Sequence, residues 1–182
     1  MHDKTHSDFT ETQLTTRLVY DGQLLKVRED SVRLPDGKTA RREYVHHPGA
    51  AIIIPMLDDE TVLLERQYRY ALKRHFYEFP AGKIDAGEDP LETARRELKE
   101  ECGYQANDWQ HLTTLHPCIG YSDERIELYL ARGLEHVGGA LDDGEFLELV
   151  PLPVREALAW IQTGRITDVK TIAGMLWVRT FA

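Results

Sequence analysis

The chain has 182 residues, with 22 Lys and Arg against 31 Asp and Glu, a formal net charge of −9 with His neutral. Hydrophobic residues make up 42% and charged residues 29%, a composition that excludes disorder, collagen and coiled coil and suits one globular domain with a small appended part. A chain this acidic does not bind nucleic acid by neutralising phosphates.

The charge is unevenly spread. Residues Gly82 to Glu148 hold 16 acidic and 6 basic side chains, so the whole surplus lies there. Cys102 and Cys118 form no C-x-x-C pair and are too few for a disulfide scaffold, which points to a reducing compartment. No apolar run reaches membrane-span length, and Met1 to Thr16 lacks a signal-peptide core, so a cytoplasmic location and no membrane partner are expected.

In chain order, residues 1–16 carry few apolar side chains and no period, and read as a flexible N-terminus. Residues 17–47 form a small β-hairpin subdomain: Leu24 to Leu34 and Thr39 to His46 flank Pro35-Asp36-Gly37, in which Pro sets φ and Gly accepts a positive one. His47-Pro48-Gly49 is the seam, and residues 48–182 are the main domain. Ala50 to Pro55 is apolar on both faces, as a central strand is, and Asp58-Asp59-Glu60 turns the chain into a second strand, Thr61 to Gln67. After Pro80-Ala81-Gly82 the period becomes helical: Leu91, Ala94, Leu98 and Cys102 share a face, Pro90 suits a first turn, and Gly103 supplies the stop. Strands follow at Trp109 to Leu115, Arg125 to Arg132 and Phe146 to Val150, then helices at Pro153 to Gln162 and Thr167 to Phe181. That order predicts an α/β chain of the mixed α+β kind, with a mixed sheet packed by helices.

On the predicted helix, Glu97, Glu100 and Glu101 are three and four residues apart and project from neighbouring positions. Alone, such a cluster also fits a solvated surface neutralised by Arg95, Arg96 and Lys99. Carboxylates after a glycine loop are equally what a hard divalent cation requires. The pattern Gly82, Glu88, Arg96-Glu97-Leu98, Glu100-Glu101, Gly103, with its intervening spacings, resembles the signature of the Nudix hydrolases. Tyr104, where an aliphatic residue is usual, is the one departure.

The resemblance implies a Nudix-type α/β/α sandwich with a mixed sheet plus a small N-terminal antiparallel β subdomain. It also implies water attack on the pyrophosphate of a nucleoside diphosphate linked to a second group, with Mg²⁺ or Mn²⁺ as cofactor. Carried over position by position, Glu97 and Glu101 are metal ligands, Glu100 a further or water-mediated ligand with a catalytic role, and Ala81 a carbonyl donor. Gly82, Glu88, Arg96 and Gly103 are structural, with Glu88 and Arg96 forming an ion pair. Arg66-Gln67-Tyr68-Arg69, Glu78-Phe79-Pro80-Ala81-Gly82 and the segment His116 to Glu124 resemble the ADP-ribose and ADP-sugar pyrophosphatase branch.

The acidic loop Asp142-Asp143-Gly144-Glu145 fits a solvated turn by itself. In the resembling family a loop here brings in a carboxylate as general base or extra metal ligand, a role that falls to Glu145, with Asp143 the alternate. Substrate contacts fall to Arg69 and Glu124, and to Arg41, Arg42 and Glu43, from which the family's N-terminal domain reaches the substrate of a partner subunit in a homodimer. The expected reaction is ADP-ribose to AMP and ribose 5-phosphate. Other nucleotide substrates (ADP-glucose, GDP-mannose, NADH) and a non-catalytic ADP-ribose-sensing module are the alternatives.

Overall fold

A computed structural model describes residues 7–141 and 144–181, which form two compact units. The first runs to His47 and takes in residues 118–124; the second comprises residues 48–117 and the chain from Arg125 onward.

The first unit is a three-stranded antiparallel sheet in the order β1 (Thr12–Asp21), β2 (Lys26–Arg33), β3 (Thr39–His46). The Pro35-Asp36-Gly37 turn closes β2 onto β3: Gly37 has φ +84°, and the Leu34 and Lys38 backbones bond across it at 2.8 Å. Residues 12–16, expected to be frayed, belong to β1. Every β1 side chain is exposed, so no apolar pattern announces the strand. Its backbone pairing with β2 needs none, and polar cross-strand contacts (Gln13 to Asp30 at 2.7 Å, Arg17 to Glu29 at 2.8 Å) add to it. The segment 118–124 returns beside β3, where the Val45 N–H donates to the Tyr121 carbonyl at 2.9 Å and His46 Nδ1 meets Asp123 at 2.6 Å.

The second unit is built on a mixed sheet. β4 (Ala50–Asp58) lies centrally, antiparallel to β5 (Thr61–Arg69) and parallel to β9 (Ile126–His136). β8 (Tyr104–Leu115) and β10 (Leu147–Pro153) extend the two sides, while the short strands β6 (Arg74–Glu78) and β7 (Ala81–Lys83) pair with β5 and β4. The apolar run of β4 divides its side chains between two cores, as its position demands. Ala51 and Ile53, with Leu63, Tyr129 and Ala131, pack under Ala94, Leu98 and Cys102 of α1 (Pro90–Cys102). Ile52, Ile54 and Met56 pack with Ala157 of α2 (Val154–Gln162) and Met175 and Val178 of α3 (Val169–Phe181). Helices thus cover both faces of a mixed sheet, as the sequence reading expects. No helix among the described residues is long and apolar enough to cross a membrane.

Candidate active site

α1 carries the central residues, and its start is fixed locally. Asp89 caps it by accepting from the Leu91 N–H at 2.8 Å, Pro90 fills the first turn, and Gly103 ends it with φ +73°. Glu88, just ahead, accepts from the Asp85 N–H at 3.2 Å, the Thr93 hydroxyl at 2.8 Å and Arg96 Nε at 3.1 Å. The Arg96 and Thr93 bonds hold its carboxyl down at about 2. Glu88 and Arg96 therefore tie the loop after β7 to the helix.

Gly82 gives Glu97 its room. A Cβ at Gly82 would overlap the Glu97 carboxylate, so with strand β7 against α1 the Glu97 side chain keeps this position only beside glycine. One turn later Glu101, 9% exposed, accepts from the Ala81 N–H at 3.1 Å. Burial, then the charges of Glu65 and Glu97, push its carboxyl up to about 9. Glu145, from the loop before β10, also acts electrostatically on Glu65, Glu97 and Glu101. The fold therefore gathers Glu97, Glu101 and Glu145 into one acidic region.

Glu100 sits at its rim, accepting from Arg96 Nη1 at 3.1 Å, while Glu97 accepts from the same nitrogen at 2.6 Å. Drawn to that guanidinium, these carboxylates do not converge: among the described residues no three His, Cys, Asp or Glu side chains surround one cation position. The donor chemistry nevertheless fits a hard divalent ion. Every candidate ligand is an oxygen, and Glu101 and Glu65 are buried beside one another's charge, a cost that a cation offsets.

Glu65, which the sequence did not single out, and Glu78, named there only within the segment Glu78 to Gly82 and given no role, also belong to the site. They face each other across β5 and β6 and are 1% and 3% exposed. Burial, then Glu78, push the Glu65 carboxyl up to about 8. Burial also acts upward on Glu78, but Arg69 and Lys170 outweigh it and hold its carboxyl below the usual range. Arg69 donates to both oxygens of Glu78, from Nε at 2.7 Å and from Nη2 at 2.8 Å, and Lys170 Nζ adds a third bond. Arg69, expected to meet substrate, thus gives its fork to Glu78. The sequence signal was a glutamate closing the apolar run Val62-Leu63-Leu64, in step with Leu63 and so on the α1-facing side of the sheet.

The remaining substrate candidates lie in the first unit. Arg42 pairs with Glu11 at 2.8 Å, Arg41 approaches Glu29 at 3.8 Å, Glu43 is exposed on β3, and Glu124 lies 3.9 Å from His47. Asp143 lies outside the described residues.

A family profile described as the NUDIX domain matches residues 45–173, and one for the nucleoside diphosphate sugar hydrolase N-terminal domain matches residues 11–45. The chain is 39% identical over 174 residues to the methanol dehydrogenase activator of Bacillus methanolicus, covering 94% of each. It is 39% identical over 168 residues to the ADP-ribose pyrophosphatase of Mycobacterium tuberculosis, covering 91% of this chain and 81% of that one. Among solved structures, an ADP compounds hydrolase superposes with a TM-score of 0.85 at 25% identity, covering 96% of this chain and 95% of the other. With a profile over more than two thirds of its length and these relatives, the chain belongs to the Nudix hydrolase family.

Proposed function

We propose that this Nudix pyrophosphatase cleaves ADP-ribose to AMP and ribose 5-phosphate with Mg²⁺, or Mn²⁺ in its place. The observation that carries the reading is the mutual electrostatic influence of Glu97, Glu101 and Glu145, with Glu97 against Gly82 and Glu101 bonded to the Ala81 N–H, a region of concentrated negative charge that approaches a pyrophosphate only when cations intervene. The ADP-ribose pyrophosphatase name of a relative 39% identical supports the choice of nucleotide.

Glu97 and Glu101, with Glu100 and the Ala81 carbonyl beside them, would hold the cation, which when bound screens the phosphate charges and acidifies water. Glu145 accepts the proton of the attacking water, and Asp143 is the second candidate for that task. The water oxygen joins one phosphorus as the bridging P–O bond breaks, so the two monophosphates leave with the elements of water divided between them. Arg69, its Nε and Nη2 held by Glu78, keeps Nη1 for phosphate or the terminal ribose and Glu124 is a further substrate contact, while Arg41, Arg42 and Glu43 contribute theirs to a partner subunit in a homodimer. The two free cysteines, Cys102 and Cys118, support a cytoplasmic enzyme.

Purified protein incubated with ADP-ribose and Mg²⁺ should release AMP, and Glu101→Gln should remove most of that activity. Full turnover by Glu101→Gln would overturn the ligand assignment, and preference for ADP-glucose, GDP-mannose or NADH in the same panel would overturn the substrate.

A further inference from the structure

Glu65 Oε2 is buried and has no hydrogen-bond partner. Among the described residues only one other side-chain atom, Asp30 Oδ1 in the first unit, shares that condition. Native structures rarely leave a buried carboxylate oxygen unsatisfied, and a water or ion that belongs there is the common reason. The charges around Glu65 narrow the choice. Glu78, directly opposite, has both oxygens engaged by Arg69 and Lys170, while Glu101 and Glu145, which also act on Glu65, are acids. None of these acids bonds to Oε2, and the two cations nearby bond to Glu78 instead.

Nor does packing account for a glutamate. Glu65 falls in step with Leu63 on the face covered by α1, where Ala94 and Leu98 make an apolar contact surface. A leucine would fill that place without a buried charge. What a carboxylate adds is a buried acceptor that shares its electrostatic surroundings with Glu101 and Glu145.

We propose that Glu65 is a positioning residue of the cation site, its free Oε2 taking a hydrogen bond from a water in the hydration shell of the bound ion. The proposal rests on the cation-dependent reading above. Mg²⁺ and Mn²⁺ keep several of their waters when carboxylates hold them, and those waters need acceptors around them. Removing such outer partners typically weakens metal binding by about 10- to 100-fold. In this role Glu65 would steady the hydration shell of an ion held by Glu101, while Glu78 stays neutralised by its own cations and so would not compete.

Mn²⁺ titration followed by the electron paramagnetic resonance of the free ion tests this without reference to turnover. The wild type, Glu101→Gln, Glu65→Leu and Glu65→Gln are compared, with thermal unfolding of each metal-free protein. Glu65→Leu should bind Mn²⁺ about 10- to 100-fold more weakly while its metal-free form melts no lower than the wild type. Glu65→Gln, which keeps an acceptor and loses the charge, should fall between them and covers the case in which the leucine variant does not fold. Equal Mn²⁺ affinity in the wild type and both Glu65 variants would overturn the role of Glu65 alone. Wild-type protein that binds no Mn²⁺, or Glu101→Gln that binds it undiminished, would instead overturn the cation reading on which the proposal stands.

Discussion

Glu65 and Glu78 are directly opposed on adjacent strands, both buried, and only Glu78 is neutralised. Lys170, itself 15% exposed at the head of α3, is the more enclosed of the two cations that do this, and it also reaches Asp168 at 3.0 Å. Without Lys170 the buried Glu78 carboxylate keeps only the more exposed Arg69 as its partner. Lys170→Met should therefore destabilise the fold by on the order of 2 kcal/mol in urea unfolding, the scale of one lost hydrogen bond to a charged group, and adding Glu78→Gln should recover part of the loss. A double variant no more stable than Lys170→Met would mean that the lysine acts by packing alone.

The two buried glutamates also show where sequence reading stops. The α1 helix was legible because its apolar residues repeat at helical spacing and its ends carry Pro90 and Gly103, each acting through local geometry. The turn at Gly37 and the double-sided burial of β4 were legible for the same reason. Glu65 and Glu78 depend on the pairing of β5 with β6 across the turn at Tyr70–Leu72, a short excursion whose Lys73 takes a positive φ of +54° that no glycine signals. β1 was missed because its exposed side chains leave only backbone bonds to define it. The metal-ligand candidates came from a motif, whereas their buried neighbours came only from tertiary pairing.

Gly82 is a sharper test of how the site is shaped. Because a methyl group there would overlap the Glu97 carboxylate, Gly82→Ala must swing that side chain away or push β7 off α1. A displacement of about 1 Å at a catalytic group costs on the order of 100-fold in rate, so kcat should fall by about that factor while circular dichroism stays unchanged. Activity within a few-fold of wild type would show that Glu97 can serve from another rotamer.

Glu88 predicts an acid limb in stability. Its folded carboxyl titrates near 2 because Arg96 and Thr93 bond the ionised form, while in the unfolded chain it titrates near the ordinary 4.5. The unfolded state thus binds the proton first on acidification. Stability from Glu88 is fully present above pH 4.5 and declines as the pH falls from there through about 2. Melting temperatures from pH 6 to 2 should drop less steeply for Glu88→Gln than for the wild type, the two curves approaching each other at the acid end. Parallel curves would place the interaction equally in the unfolded chain.

Gly139 pins the chain that leads to Glu145. A Cβ there would lie 2.7 Å from the Lys99 carbonyl, 2.8 Å from that of Glu100 and 3.0 Å from Gly103 Cα, all backbone atoms that cannot turn aside. Just before it, the Val137 and Gly138 N–H groups donate to the Gly103 carbonyl at 2.9 and 3.1 Å, so the end of β9 is fastened to the cap of the same helix that bears Glu97 and Glu101. Gly139→Ala should break this fastening and speed amide exchange at Val137 and Gly138, with protection in the buried strand β4 retained. Since Glu145 leaves from the released segment, kcat should fall by about 10-fold or more, the lower end of what a positioned base contributes being about 100-fold. Faster exchange with undiminished kcat would separate Glu145 from proton transfer and pass that task to another carboxylate.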